Sequence, residues 1–389
     1  MLELPPLSLY IHIPWCVKKC PYCDFNSHEV QSSLPEADYV ETLCQDFDRD
    51  YAFCEGRSIQ SIFIGGGTPS LFAAKSFEKL LLHIQAGATL SSECEITLEA
   101  NPGTAEAEKF SGYRAAGINR LSIGIQSFND LQLQNLGRIH SANESKRAID
   151  YARRAGFENF NLDFRSSRAS ASFLPGQKEA DALDDLKSVI DFEPIHISWY
   201  QLTIEPNTVF YARPPKLPSE DVLNTLEEAG LTLLQDSGYQ RYEVSAFAKQ
   251  GCHSRHNLNY WEFGDYIGIG AGAHGKITLL ETGNGPDTIL RTLKHRQPNH
   301  YLRSCINRDL KHIEISEDDR ALEFLLNALR SRHGFTESMF QARTGLSFSV
   351  IGKKVEYLIV RGLLQKQEGR ISASDKGYRL LNSLLQEFL

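Results

Sequence analysis

Apolar and polar positions alternate along Leu7-Ser8-Leu9-Tyr10-Ile11-His12-Ile13, the period-two pattern of a β-strand with one buried face. Short apolar runs recur at 61–64, 95–99, 120–125, 159–163 and 195–200, giving six predicted strands. Gly65-Gly66-Gly67 closes the second run and Asn101-Pro102-Gly103 stops the third. Helical periods lie between them. In 36–54, Tyr39, Leu43, Phe47 and Tyr51 follow at every fourth position, one face of a helix. Residues 104–116 run into Gly117 and 141–155 into Gly156, where a left-handed C-cap is expected. Strands separated by helices predict βα units on a parallel sheet. Six units over residues 1–205 predict an α/β fold with an open, partial (βα)6 TIM-like barrel rather than a closed one of eight. Polar and glycine residues follow several of the strands, where parallel α/β folds bind their ligands.

The pattern changes after residue 205. Pro206, Pro214, Pro215 and Pro218 mark a long connection. A helix is predicted over 219–236, a strand over 242–245 and two glycine-rich turns around 264–275, all within a connecting α/β region, 206–310. From about 313 the period is helical again. Leu322, Leu325, Leu326 and Leu329 share a predicted face, Phe335-Thr336-Glu337 opens a second helix, and Val350 to Leu364 supports a third. Ile371-Ser372-Ala373 reads as a wing strand, and a closing helix starts at Asp375. Residues 311–389 are thus predicted to form a mostly helical, winged-helix-like domain. Residues 313–389 hold 11 Lys and Arg against 10 Asp and Glu with no basic stripe, which favours packing or docking over DNA binding.

Composition narrows the function classes. A chain of 389 residues suggests two or three domains, and 41% hydrophobic with 23% charged residues is ordinary globular usage. The net charge of −8 argues against whole-chain attraction to nucleic acid or anionic lipid, leaving room for peripheral membrane association through a local patch. No run of apolar residues is long enough to span a membrane. The start has no basic n-region, so secretion is not expected and a reducing cytoplasm is. There, closely spaced cysteines point to metal binding or catalysis rather than to disulfides.

Three of the eight cysteines, Cys16, Cys20 and Cys23, form a Cys-x3-Cys-x2-Cys loop just after the first strand. Three thiolates on one loop suit a soft metal or an iron–sulfur cluster; in a four-iron cluster they leave one iron open. The alternatives are three core cysteines, or a zinc site completed by Asp24 or His28. Lys18 and Lys19 make the loop too polar for core. Gly66 and Gly67 let backbone approach a ligand closely. Glu99 and Asp163 stand at strand ends, Gln126 follows a third, and Arg138 could clamp a carboxylate. In His256-Asn257-Leu258-Asn259-Tyr260-Trp261, a histidine that could ligate heme iron precedes two flat aromatic rings, with Cys252 nearby as a second candidate.

Cys16-Val17-Lys18-Lys19-Cys20-Pro21-Tyr22-Cys23 resembles the signature of the radical S-adenosylmethionine (SAM) superfamily. The Tyr10 to Cys16 lead-in, Gly65 to Pro69, Glu99 to Pro102, Gly124 to Phe128 and Leu136-Gly137-Arg138 all resemble one branch, that of the oxygen-independent coproporphyrinogen III oxidases and the HemW heme chaperones. The resemblance implies a 4Fe-4S cluster on Cys16, Cys20 and Cys23, with SAM chelated at the open iron. It implies SAM contacts at Tyr10, Tyr22, Gly66, Gly67, Thr68, Glu99, Gln126, Arg138 and Asp163. His256 opens a sequence similar to the HNxxYW motif associated with heme binding in the chaperones, which implies heme as ligand and a heme-acceptor protein as partner. Two departures bear on the choice within the branch. The oxidases usually carry a fourth cysteine where this chain has Phe25, which favours the chaperone reading over oxidative decarboxylation of propionates. After Asp163, Arg165 to Phe173 replaces the short family run, leaving open a scaffold without SAM cleavage.

Overall fold

The computed structural model describes residues 2–31, 33–54, 56–165, 179–215, 219–280, 287–307 and 311–389. Of the altered segment Arg165 to Phe173, only Arg165 lies within the described residues.

Six parallel strands stand side by side in chain order: β1 (Leu7–Ile13), β2 (Ile59–Gly66), β3 (Leu90–Ala100), β4 (Arg120–Gln126), β5 (Phe160–Arg165) and β6 (His196–Tyr200). Strand alternation decides what each face does. On β1, Leu7, Leu9, Ile11 and Ile13 are essentially unexposed and pack with the helical layer, including Tyr39, Leu43 and Phe47 of α1 (Glu36–Tyr51). The intervening Ser8, Tyr10 and His12 turn to the inner face. The same parity continues around the sheet, with Ser61, Glu95, Thr97, Arg120, Ser122, Asn161, His196 and Ser198 buried but polar. These groups satisfy one another, as buried polar groups must. Ser8 and Ser61 hydroxyls lie 2.8 Å apart, Asn161 Nδ2 donates to Ser122 Oγ at 2.8 Å, and His196 Nδ1 meets Asn161 Oδ1 at 2.7 Å. The barrel is therefore apolar outside, against its helices, and hydrogen-bonded inside.

The sheet extends past both barrel edges. Residues 264–275, read as two turns, contain a seventh parallel strand, Asp265–Ile269, which pairs with β1 from Leu7↔Asp265 to Ile11↔Ile269. Its glycines are there for space: a Cβ on Gly268 would run into the His274 carbonyl, and Gly270 turns with φ 103°. Antiparallel strands His274–Leu279, Thr288–Leu293 and Lys311–Glu314 follow. On the other edge, 242–245 is a hairpin turn rather than the expected strand. Gln240–Arg241 and Ala246–Ala248 pair across it, while the Ser245 N–H donates to the Glu243 carboxylate and Arg241 Nε to the Val244 carbonyl. Local side-chain bonds there take the place of ladder bonds.

The C-terminal helices Glu317–Ala328, Glu337–Thr344 and Ser349–Val360, with a small sheet of Phe335–Thr336, Arg370–Ala373 and Leu364–Gln367, enclose a second core. Its first helix buries Ala321, Phe324, Leu325 and Ala328; Leu326, expected on that face, is 42% exposed because Phe324 and Ala328 set the buried stripe. The third helix stops at Val360, and Leu364 opens a strand instead of ending it. No helix among the described residues is long and apolar enough to cross a membrane.

Candidate functional site

The cysteine loop is pinned at both ends. Trp15–Cys16 pairs in parallel with His28–Glu29, so the chain between them closes on itself. The end of β2 buttresses this loop from below: the Gly67 N–H donates to the Ile13 carbonyl and the Thr68 N–H to the Trp15 carbonyl, each at 2.7 Å. A Cβ on Gly67 would overlap the Trp15 backbone, and one on Gly66 (φ 118°) the His12 ring. The glycine run is thus the space that lets the first cysteine sit over the sheet. Cys16 is buried, which pushes its thiol up to about 11; Cys20 and Cys23 are half-buried, and none of the three is in a disulfide. Arg138 Nη1 lies 3.5 Å from Cys20 Sγ, and Lys19 Nζ folds back onto the Phe25 and Ser27 carbonyls. Tyr22 is buried with Leu136, Leu202 and Phe210, and the Arg165 guanidinium stands 4.2 Å over its ring.

No three His, Cys, Asp or Glu side chains among the described residues gather closely enough to hold a single metal ion, so zinc completed by Asp24 or His28 finds no donor set. A four-iron cluster makes no such demand, because each thiolate binds its own iron. Three unbridged cysteines on one pinned loop, with the Arg138 cation against one of them, fit that group.

Around the loop, the strand-end residues take distinct positions. Glu99 is half-buried and its Oε2 accepts the Gly66 N–H at 3.0 Å. Burial, helped by nearby Asp163, pushes its carboxyl up to about 7. Asp163 accepts from Ser122 Oγ and Asn161 Nδ2, both at 2.9 Å, and burial raises its carboxyl too. Gln126 ends β4 with φ 62°, a conformation a non-glycine residue adopts at a cost, and its Oε1 accepts from Arg165 Nε at 3.0 Å. Arg138 gives its other nitrogen, Nη2, to the Gly124 carbonyl at 2.9 Å, while Nε has no partner among the described residues. Gly137 (φ 68°) lies against Pro21, so a Cβ there would strike the cluster loop. Thr68 is buried.

A cavity of about 480 Å³ opens beside Tyr10, Gly66 and Glu99. The short helix Arg255–Trp261 packs against the barrel interior and contributes Tyr260 to the cavity wall. His256 itself is 2% exposed: its Nδ1 lies 3.0 Å from Ser61 Oγ, its Nε2 3.1 Å from Tyr260 Oη, and its ring stacks on Phe63. Burial, with Arg120 nearby, lowers its pKa to about 3, so it is neutral. Trp261 faces Arg330 of the C-terminal unit at 5.0 Å. Cys252 packs half-buried beside Tyr242 and Leu258 and does not line the cavity. His12, Asn26, Tyr266, His274 and Arg296, none singled out in the sequence, do line it. The glycine alternation leading to His274 was the available signal.

Comparison with known proteins agrees with this geometry. The Radical SAM superfamily model matches residues 10–189 and the HemN C-terminal domain model residues 315–380. Heme chaperone HemW of Escherichia coli is 47% identical over 390 residues, covering 100% of both chains. Heme chaperone HemW of Haemophilus influenzae is 49% identical over 393 residues, covering 100% of this chain and 99% of its own. Among solved structures, E. coli coproporphyrinogen III oxidase (HemN), a radical SAM enzyme, has the same fold: TM-score 0.79 at 23% identity, covering 99% of this chain and 90% of that one. The radical SAM family implies a 4Fe-4S cluster and SAM. With full-length identity of this order, the chain belongs to the HemW family of the radical SAM superfamily.

Proposed function

We propose that this protein is a heme chaperone that binds a 4Fe-4S cluster through Cys16, Cys20 and Cys23, SAM beside it, and heme, and passes the heme to an acceptor protein. The observation that carries the reading is the cavity next to the cluster loop, within the size range of ligand pockets and walled by Tyr10, Tyr260, Tyr266 and Phe25. Flat rings with polar edges suit a porphyrin. Phe25 stands where the oxidases usually carry a cysteine and is 59% exposed, an apolar group left facing the cavity. The full-length likeness to HemW chaperones supports the same reading.

When bound, the cluster supplies an open iron for SAM and an electron for its cleavage. The chain's own residues bind and orient. Gly66 and Gly67 bring backbone close to the ligand, and Arg138 holds positive charge at Cys20. Glu99 accepts from SAM's amino group or ribose hydroxyls, and either contact favours the ionised carboxylate. With its carboxyl near 7 before SAM binds, ionisation must accompany binding below that pH. SAM affinity of the cluster-loaded protein is therefore expected to rise as pH rises from 6 to 8. The gain is up to about tenfold per unit below 7 and levels off above it. Calorimetric titration at several pH values checks this, with Glu99→Gln expected to flatten the profile.

The chaperone reading is tested by titrating the anaerobically reconstituted protein with hemin and supplying coproporphyrinogen III, SAM and reductant to a parallel sample. A saturable Soret band with no protoporphyrinogen is the expected result. Protoporphyrinogen formation without hemin binding would assign the oxidase activity instead.

A further inference from the structure

Asn161 and Asp163 lie two residues apart on β5 and therefore share its inner face. Parallel pairing sets Asn161 between Ser122 of β4 and His196 of β6, so the three buried side chains form one row across the barrel interior. Asn161 uses every bond that a primary amide can make. Its Nδ2 donates to Asp163 Oδ1 at 2.9 Å and to Ser122 Oγ at 2.8 Å. Its Oδ1 meets His196 Nδ1 at 2.7 Å and accepts the Ser198 hydroxyl at 3.1 Å. Ser122 Oγ in turn donates to Asp163 Oδ2 at 2.9 Å. Both oxygens of the Asp163 carboxylate are thus held by donors of one network.

The direction of these bonds follows from a single backbone group. The Ser254 N–H can only donate, and it points at Tyr242 Oη at 3.3 Å. Among the described residues the other partner of that hydroxyl is His196 Nε2, at 2.7 Å, which receives its hydrogen. Burial, with Arg120 and His253 nearby, holds His196 far below the usual imidazole range, so the ring is neutral and carries one hydrogen. With Nε2 accepting, that hydrogen sits on Nδ1 and is donated to Asn161 Oδ1. The opposite tautomer would turn a lone pair on Asn161; the amide would then flip and set its oxygen against Asp163. Ser254 is the N-cap of the helix Arg255–Trp261, so the chain of bonds runs from the start of that helix to the carboxylate. Asp163 works against its surroundings: burial raises its carboxyl and Glu99 of the cavity wall is a like charge nearby, whereas Ser122, Asn161, Arg120 and Arg165 favour the ionised form.

We propose that His196 and Asn161 are positioning residues for SAM: the Nδ1–H tautomer of His196 fixes the amide of Asn161, and that amide aims the Asp163 carboxylate at SAM's hydroxyl or amino hydrogens. This inference rests on SAM binding beside the cluster, with Asp163 among its contacts as the family resemblance implies, and adds the residues that set the carboxylate's orientation. The test is calorimetric SAM titration of the full-length, cluster-loaded protein and its variants, with thermal unfolding to read the fold. An asparagine amide can place its nitrogen where His196 has Nδ1, and a glutamine amide where it has Nε2. His196→Gln should therefore weaken SAM binding by about tenfold, and His196→Asn should restore most of the affinity. Asn161→Leu, which removes the amide at similar volume, should weaken binding at least as much as His196→Gln. In an Asp163→Asn background neither His196→Gln nor Asn161→Leu should cause a further loss, because the carboxylate they serve is gone. Wild-type SAM affinity in a folded His196→Gln or Asn161→Leu protein overturns the inference and leaves the chaperone reading standing. So do equal losses for glutamine and asparagine at position 196, or losses that add to that of Asp163→Asn, since these are the marks of a merely structural role. A cluster-loaded wild type that binds no SAM overturns both.

Discussion

Replacing any one of Cys16, Cys20 and Cys23 by alanine is expected to abolish the iron–sulfur absorbance of the anaerobically reconstituted protein. Iron should fall from about four per chain towards zero, because two thiolates leave two corners of the cluster without protein ligands. The fold should survive. The loop is held by the backbone pairing of Trp15–Cys16 with His28–Glu29, by β2 through Gly67 and Thr68, and by Tyr22 in its apolar nest. Of these contacts only the Tyr22 nest touches a cluster thiol, that of Cys20. In Cys20→Ala the Arg138 guanidinium also loses its sulfur partner and keeps the Gly124 carbonyl. Iron analysis and circular dichroism on the three variants check the expectation; full iron content in any of them would contradict it.

The largest stability effect is expected at Lys294. Its ammonium is 2% exposed and pairs with Asp46 at 2.5 Å and Asp50 at 2.8 Å, both carboxylates being fully buried in α1. Asp46 also accepts from Tyr301 Oη at 2.6 Å and from the Gly270 N–H, which ties this network to the turn after the seventh parallel strand. Lys294→Met leaves two buried carboxylates without their cation, at a cost of about 3–5 kcal/mol. The loss depends on pH. Burial already raises the Asp50 carboxyl to about 6 despite Lys294, above its unfolded value. The folded state therefore holds a proton that the unfolded chain releases, and the associated stability is lost as pH rises through about 6. Without the lysine that pKa climbs further, so the variant should be least impaired near pH 5.5 and most near pH 8. Urea unfolding at both values measures this; an equal loss at both pH values would show that the carboxylates do not carry the effect.

The cluster loop and the six barrel strands were legible because their signals are local. Cys16, Cys20 and Cys23 lie within one loop, and Leu7 to Ile13 alternates strictly. The seventh strand was not, because a parallel pairing between Leu7–Ile13 and Asp265–Ile269 leaves no trace in neighbouring residues. Its glycines read as turns, although Gly268 answers to the backbone of His274. The turn at 242–245 carries strand-forming residues whose backbone is claimed by the side chains of Arg241 and Glu243. His256 shows the same limit at the site. Its motif falls on the helix Arg255–Trp261 beside the cavity, yet only the packing of Ser61, Phe63 and Tyr260 around the ring reveals that both nitrogens are occupied. His274 and Arg296 reach the cavity through strand order alone, across a sheet whose members come from distant parts of the chain.

On the proposed function, one chain carries an iron–sulfur cluster on its cysteine loop and a heme in the adjoining cavity. Anomalous diffraction at the iron edge, from anaerobically grown crystals of the reconstituted protein with hemin, tests it most directly. Two separate iron features are expected: a compact four-iron peak bonded to Cys16, Cys20 and Cys23, and a single heme iron in the cavity. A heme iron outside the cavity, or a cysteine loop whose sulfurs bind no iron, would contradict it.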